Sequence, residues 1–113
     1  MTSPFVINDL DDISFISGTE QELTFYIYDS GSVAKNLLGF TCTWEMARYG
    51  TTTSVVTKNA TVSGSPVNKM VVTLASSDTP TLSGKFIHQP VITSGSSEYR
   101  PSQGVINIIA QIS

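Results

Sequence analysis

Very few side chains in this chain could carry out chemistry. His88 is the sole histidine and Cys42 the sole cysteine among 113 residues. A catalytic imidazole needs an orienting acid and a nucleophile, each within hydrogen-bond reach. No motif around Ile87-His88-Gln89 supplies them. His88 therefore reads as a structural or surface residue. Cys42 would need a paired base to act as a nucleophile. It alternates with Phe40 and Trp44, so it reads as a buried strand thiol, and alone it forms no internal disulfide.

The acidic residues suggest a metal site, and their spacing argues against it. Asp9, Asp11, Asp12, Glu20 and Glu22 place five of the nine acidic residues within the first 22 positions. A calcium loop alternates Asp and Asn ligands about a central glycine and closes on Glu. That order is missing, so the cluster reads as a solvated acidic turn. Gly-x-Ser-x-Gly, a phosphate loop, His-Glu-x-x-His and paired cysteines are missing too. No catalytic, cofactor-binding or metal-ligating residue is assigned, and the chain reads as a protein without enzymatic activity or cofactor. Tyr26, Tyr28, Tyr49 and Tyr99 could form an aromatic platform for a sugar; alternation makes the first two outward strand residues, and the others fall near turns. Asn59-Ala60-Thr61 fits the glycosylation pattern, which has meaning only in a secreted chain.

Charge narrows the partners. The net charge is −3, and Lys35, Arg48, Lys58, Lys69, Lys85 and Arg100 are scattered, which argues against nucleic-acid binding through phosphates. No apolar run approaches the roughly 20 residues of a membrane span. The N-terminus lacks the basic start and apolar run of a signal peptide, so the expectation is synthesis and folding in a reducing cytoplasm.

The elements that would position these residues are strands. Charged residues make up 13%, against about 25% in typical domains, and Ser, Thr and Gly fill the polar positions. Leu23, Phe25 and Ile27 alternate with Thr24, Tyr26 and Tyr28. After a turn at Asp29–Gly31, Phe40, Cys42, Trp44 and Met46 alternate with Thr41, Thr43, Glu45 and Ala47. Period two in β-branched and aromatic runs predicts two strands, each burying one face. Trp44, the only tryptophan, is expected between two layers. Further strands are predicted over Ser54–Thr61, Lys69–Leu74, Lys85–Thr93 and Val105–Ile112, with Phe5–Ile7 as a possible first edge strand. Pro90 predicts an edge position or a bulge for its strand. Ala75–Pro80 suits a single helical or 3₁₀ turn, and Ser94–Ser97 a loose hairpin tip.

About seven strands, with turn signals roughly every ten residues, predict an all-β fold, an antiparallel β-sandwich. Residues 1–16 read as an N-terminal arm or edge strand and residues 17–113 as the sandwich. The expected core is Leu23, Phe25, Ile27, Phe40, Cys42, Trp44, Met46, Val72, Leu74, Phe86, Ile106 and Ile108, with Leu82 plugging one end. The last strand is apolar on both faces, with Val105 and Ile109 opposite Ile106 and Ile108. A strand apolar on both sides is covered twice or exposes apolar surface. Phe5, Val6, Ile7, Val105 and Ile109 are therefore expected to form an assembly interface with copies of the chain or with another protein.

Residues 20–110 resemble a known family. Leu23-Thr24-Phe25-Tyr26-Ile27, Asp29-Ser30-Gly31, Leu37-Leu38-Gly39 and Arg48-Tyr49-Gly50 occur in the order seen in the immunoglobulin-like domain at the N-terminus of phage baseplate upper proteins and in related tail and head-fibre domains. The run from Val71 to Phe86 and the segment Arg100-Pro101-Ser102-Gln103-Gly104 are similar to later parts of that pattern. The resemblance implies an immunoglobulin-like sandwich of about seven strands. It implies a non-enzymatic virion structural protein of a tail, baseplate or head appendage. Its partners would be other virion proteins and its own copies as a homo-oligomer, with no nucleic acid or membrane. It would be made and assembled in the host cytoplasm. No receptor-binding extension follows the sandwich, so a virion piece is expected rather than a whole receptor-binding protein. A second reading stays open: a carbohydrate- or host-surface-binding module.

Overall fold

A computed structural model describes residues 12–29, 31, 33–65 and 67–112. The described residues form nine strands: β1 (Ile13–Ile16), β2 (Gln21–Tyr26), β3 (Thr41–Arg48), β4 (Ser54–Asn59), β5 (Thr61–Ser63), β6 (Lys69–Leu74), β7 (Gly84–Ser94), β8 (Ser97–Tyr99) and β9 (Gly104–Ile109). The larger sheet has the order β1-β9-β7-β3-β4, with β8 also paired to β7; the smaller is β2-β6-β5. All pairings are antiparallel except β1 with β9, which run parallel with Ile13 opposite Ile106 and Ile16 opposite Ile109.

Successive strand side chains point to opposite faces, and this alternation builds the interior. Cys42, Trp44 and Met46 of β3 point inward, as do Leu23 and Phe25 of β2, Met70, Val72 and Leu74 of β6, Phe86 and Ile92 of β7, and Ile106 and Ile108 of β9. Trp44 is completely buried between the two layers. Phe15 and Leu37 also lie in this core. Phe40, expected there, is only half-buried and packs at the core's margin. It precedes β3, where its N–H donates to the Leu37 carbonyl at 3.1 Å, and Leu37 fills the interior instead.

Several boundaries differ from the sequence reading. Ser54–Thr61 is not one strand. The chain crosses between sheets at Ala60, whose N–H donates to the Cys42 carbonyl at 2.9 Å. β4 therefore belongs to the larger sheet and β5 to the smaller. The strand ending at Tyr28 stops pairing with β6 at Tyr26; Ile27 then donates to Asn68, and Tyr28 bridges Ala34. Ile13–Ile16, within the segment set apart as an arm or edge strand, is an edge strand of the larger sheet. Phe5–Ile7 lie outside the described residues.

Pro90 does not mark an edge strand, because β7 is central. Its ladder with β9 ends at His88 and its ladder with β8 begins at Ile92. Pro90 sits between them, opposite Trp44 of β3, where β7 has a neighbour on one side only. A missing backbone donor costs least in such a gap. The Ser94–Ser97 tip is a tight hairpin turn, with Gly95 at φ 59° between paired Ser94 and Ser97. Positive φ there matches the strand twist. Residues 75–80 make turns, closed by Asp78 N–H to the Ala75 carbonyl and Ala75 N–H to the Asp78 carboxylate.

Candidate functional site

Three places in this scaffold gather chemistry. The first is the core around His88. Period two puts His88 on the face of Phe86, and its ring is wholly buried. The Trp44 indole N–H donates to His88 Nδ1 at 3.0 Å. The ring centroids of Trp44 and Phe25 lie 5.9 and 5.8 Å from that of the imidazole. With Nδ1 accepting, the proton of the neutral ring belongs on Nε2, which is buried and has no hydrogen-bond partner among the described residues. Burial pushes the imidazole down to about 4, so it stays neutral near pH 7. His88 is thus a core residue, not a surface one. Cys42 is buried on the same sheet face, and burial pushes its thiol up, away from reactivity.

The second place is the outward face of the larger sheet. Glu45 of β3 stands opposite Gln89 of β7. Its carboxylate accepts from Gln89 Nε2 at 2.6 Å, from Arg100 Nε at 3.2 Å and from Ser54 Oγ at 3.1 Å. Gln103 Nε2 donates to Gln89 Oε1 at 3.0 Å, and Arg100 also reaches Glu98 at 3.0 Å. These donors, the Gln89 amide first, hold the Glu45 carboxyl below the usual range against the opposing effect of burial. The next row towards Arg48 is apolar: Ala47, Ile87 and Val105 lie side by side across β3, β7 and β9. An open cleft of about 300 Å³ lies over Ala47 and Ile87, and its polar lining is Glu45, Gln89, Gln103, Thr51, Thr52 and Ser54.

The third place is the β1–β9 border. Ile16 and Ile109 are register partners on the outward face, 48% and 56% exposed, and Ile112 beyond them is 96% exposed. Val105, on the same face of β9, is half-buried. The two-sided apolar character of the last strand thus becomes surface chiefly at Ile109.

The four tyrosines do not converge. Tyr26 lies on the smaller sheet, Tyr28 bridges Ala34 beyond the end of β2, and Tyr49 and Tyr99 lie at opposite ends of the larger sheet. The Tyr49 ring is covered on one face by Lys85 Nζ, 4.0 Å from its centroid. Asp12 is exposed, and among the described residues no group of three His, Cys, Asp or Glu is placed to hold a metal ion. The Glu45–Gln89–Gln103 row was missed from sequence. Its signal was parity: Glu45 and Gln89 are the polar residues next to Trp44 and His88, on the opposite face.

No protein-family model matches the sequence, and no curated protein matches it significantly. Solved structures match the fold. A chain of the complex of Dpr2 Ig1-Ig2 with DIP-Theta Ig1-Ig3 aligns with TM-score 0.56 and 12% identity over 96% of this chain, which spans 48% of that one. Titin domain M7 aligns with TM-score 0.47 and 12% identity, covering 99% of this chain and 98% of that one. Murine CRIg aligns with TM-score 0.47 and 5% identity, covering 96% and 98%. With the all-β layers and strand order above, this establishes an immunoglobulin-like β-sandwich. In antibody domains a buried tryptophan packs on an inter-sheet disulfide. Here β2 and β7 meet instead through Phe25 and His88, with Trp44 beside them.

Proposed function

We propose that this chain is a non-enzymatic structural domain of a bacteriophage virion, a tail, baseplate or head-appendage component that works by assembling with its own copies and with neighbouring virion proteins. The observation that carries assembly is the paired exposure of Ile16 and Ile109 on the edge of the larger sheet. Sheet edges are usually guarded by charge, proline or a bulge. β4, the opposite edge, has a bulge at Val55 and carries Lys58. β1, Ile13-Ser14-Phe15-Ile16, carries none of these, and among the described residues no strand lies beyond it. Backbone pairing at that edge and apolar burial beside it would drive assembly. The virion setting is supported by the ordered sequence segments between Leu23 and Gly104 alone. Such a component acts after synthesis in the host cytoplasm and needs no cofactor.

The test is sedimentation of the full chain beside an Ile16→Lys, Ile109→Lys variant. The expected result is a self-associating wild type at micromolar concentration and a monomeric variant with an unchanged melting temperature. A wild type that stays monomeric, with no partner in a cryo-EM map of its native particle, overturns the proposal.

A further inference from the structure

The cleft between Glu45 and Ile87 has no part in that assembly reading, because it lies over β3 and β7, away from the β1–β9 border. We propose that it is a binding site for a neutral saccharide. Its volume, about 300 Å³, falls at the lower end of the roughly 300–1,000 Å³ of small-molecule sites, which suits a ligand of one or two rings.

The chemistry of the lining selects the class. The floor is a narrow apolar row, Ala47 and Ile87, with Val105 alongside. A sugar ring offers a C–H face of that kind. The polar lining offers an acceptor, the Glu45 carboxylate, and groups that both donate and accept, the Gln103 amide and the Thr51 and Thr52 hydroxyls, while Ser54 already donates to Glu45. Ring hydroxyls also donate and accept, so one ligand can satisfy this polar lining while its C–H face covers the floor.

Charge argues for neutrality. Among the described residues Glu45 is the sole charged one lining the cleft, and it is already matched by Arg100 at 3.2 Å. An anionic ligand would meet that carboxylate, and a cationic one would compete with Arg100 for it. A neutral ligand meets a carboxylate held in place by three donors, so little rearrangement is needed on binding.

The test is amide-shift titration of the ¹⁵N-labelled full chain with D-glucose, D-galactose, D-mannose and N-acetyl-D-glucosamine at millimolar concentrations, with inorganic phosphate and methylammonium as charged comparators. At least one sugar should give saturable shifts centred on Ala47, Ile87 and Gln89, and neither ion should. The shifts should vanish in Gln89→Ala and in Thr52→Arg, which fills the cleft from an exposed turn and leaves the strands untouched. No saturable shift with any sugar overturns the proposal, as do shifts that survive Thr52→Arg or an equal response to either ion. Because the β1–β9 border lies elsewhere, none of these outcomes bears on assembly, which the sedimentation experiment reads separately.

Discussion

His88 should make the domain lose stability in mild acid, by an amount the structure sets. Unfolded, the imidazole titrates near 6.5; in the fold it titrates at about 4. Between those values the unfolded chain binds a proton that the folded chain refuses, so stability falls as pH drops through this window. At 1.36 kcal/mol per unit the loss is about 3 kcal/mol by pH 4. Domains of this size are stable by roughly 5–15 kcal/mol, so the loss is large. Burial of the imidazole is the reason, and the geometry agrees with it: a second ring proton on Nδ1 would point at the Trp44 N–H, 3.0 Å away, and one donor would face another. Urea unfolding followed by the fluorescence of the single tryptophan, repeated between about pH 7 and 4, reads this directly. The comparison is His88→Gln, whose amide oxygen can still accept from Trp44 but does not titrate. Glu45 and Asp78 act equally in wild type and His88→Gln, so they cancel in the comparison. Both titrate below their ordinary 4.5 and 3.8, so the stability they contribute starts to fall as pH approaches those ordinary values and is fully lost only below their folded ones. If wild type and His88→Gln lose stability in parallel from pH 6.5 to 4, the reasoning is refuted.

Other changes should report on the same scaffold. Trp44→Ala opens the core and strips His88 Nδ1 of its donor; it should cost about 3–5 kcal/mol, and an unchanged melting temperature would place Trp44 outside the core. Leu37→Ala, at a fully buried position outside any strand, should cost about 2–5 kcal/mol in chemical denaturation. Gly50→Ala should cost about 1–2 kcal/mol, although the added methyl meets nothing within 4 Å, because φ is +83°; Gly50→Asn should cost less, since Asn visits that region more readily. Lys58→Ala should flatten the acid limb of the stability curve below about pH 4. Burial raises the Asp78 carboxyl, and the Ala75 N–H and Lys58 at 3.1 Å outweigh it.

The parts of the fold legible in the sequence were those with local periodicity. β2 and β3 alternate strictly, so Leu23, Phe25, Cys42, Trp44 and Met46 could be set on the inner face without knowing their partners. The same parity reaches His88 through Phe86, yet a polar residue invites an outward reading unless its neighbour on another strand is known. That neighbour, the Trp44 indole, comes from residues 44 positions away. Leu37 lies in a turn, where no period exists, and only the Val67 carbonyl accepting its N–H at 2.8 Å shows how it is drawn inward. β1 was legible only as part of a segment read as an arm or edge strand. Four residues between an Asp-rich stretch of sequence and a Ser-Gly pair carry too little pattern to place a strand, and their pairing depends on a strand more than 90 residues later. The single-residue crossing at Ala60 left no mark because Ser54–Thr61 looks continuous in composition. The outer polar row required the register of β3 against β7, which no single strand encodes.

The parallel pairing of β1 with β9 governs how the domain would carry tension. Because the two strands run in the same direction, the entry to β1 and the exit from β9 lie at opposite ends of their shared ladder. A pull on both ends of the described chain drags one strand lengthwise past the other, loading the rungs between them together instead of opening them singly. Because β9 also pairs with β7, the antiparallel rungs between those two strands share the load as β9 is pulled.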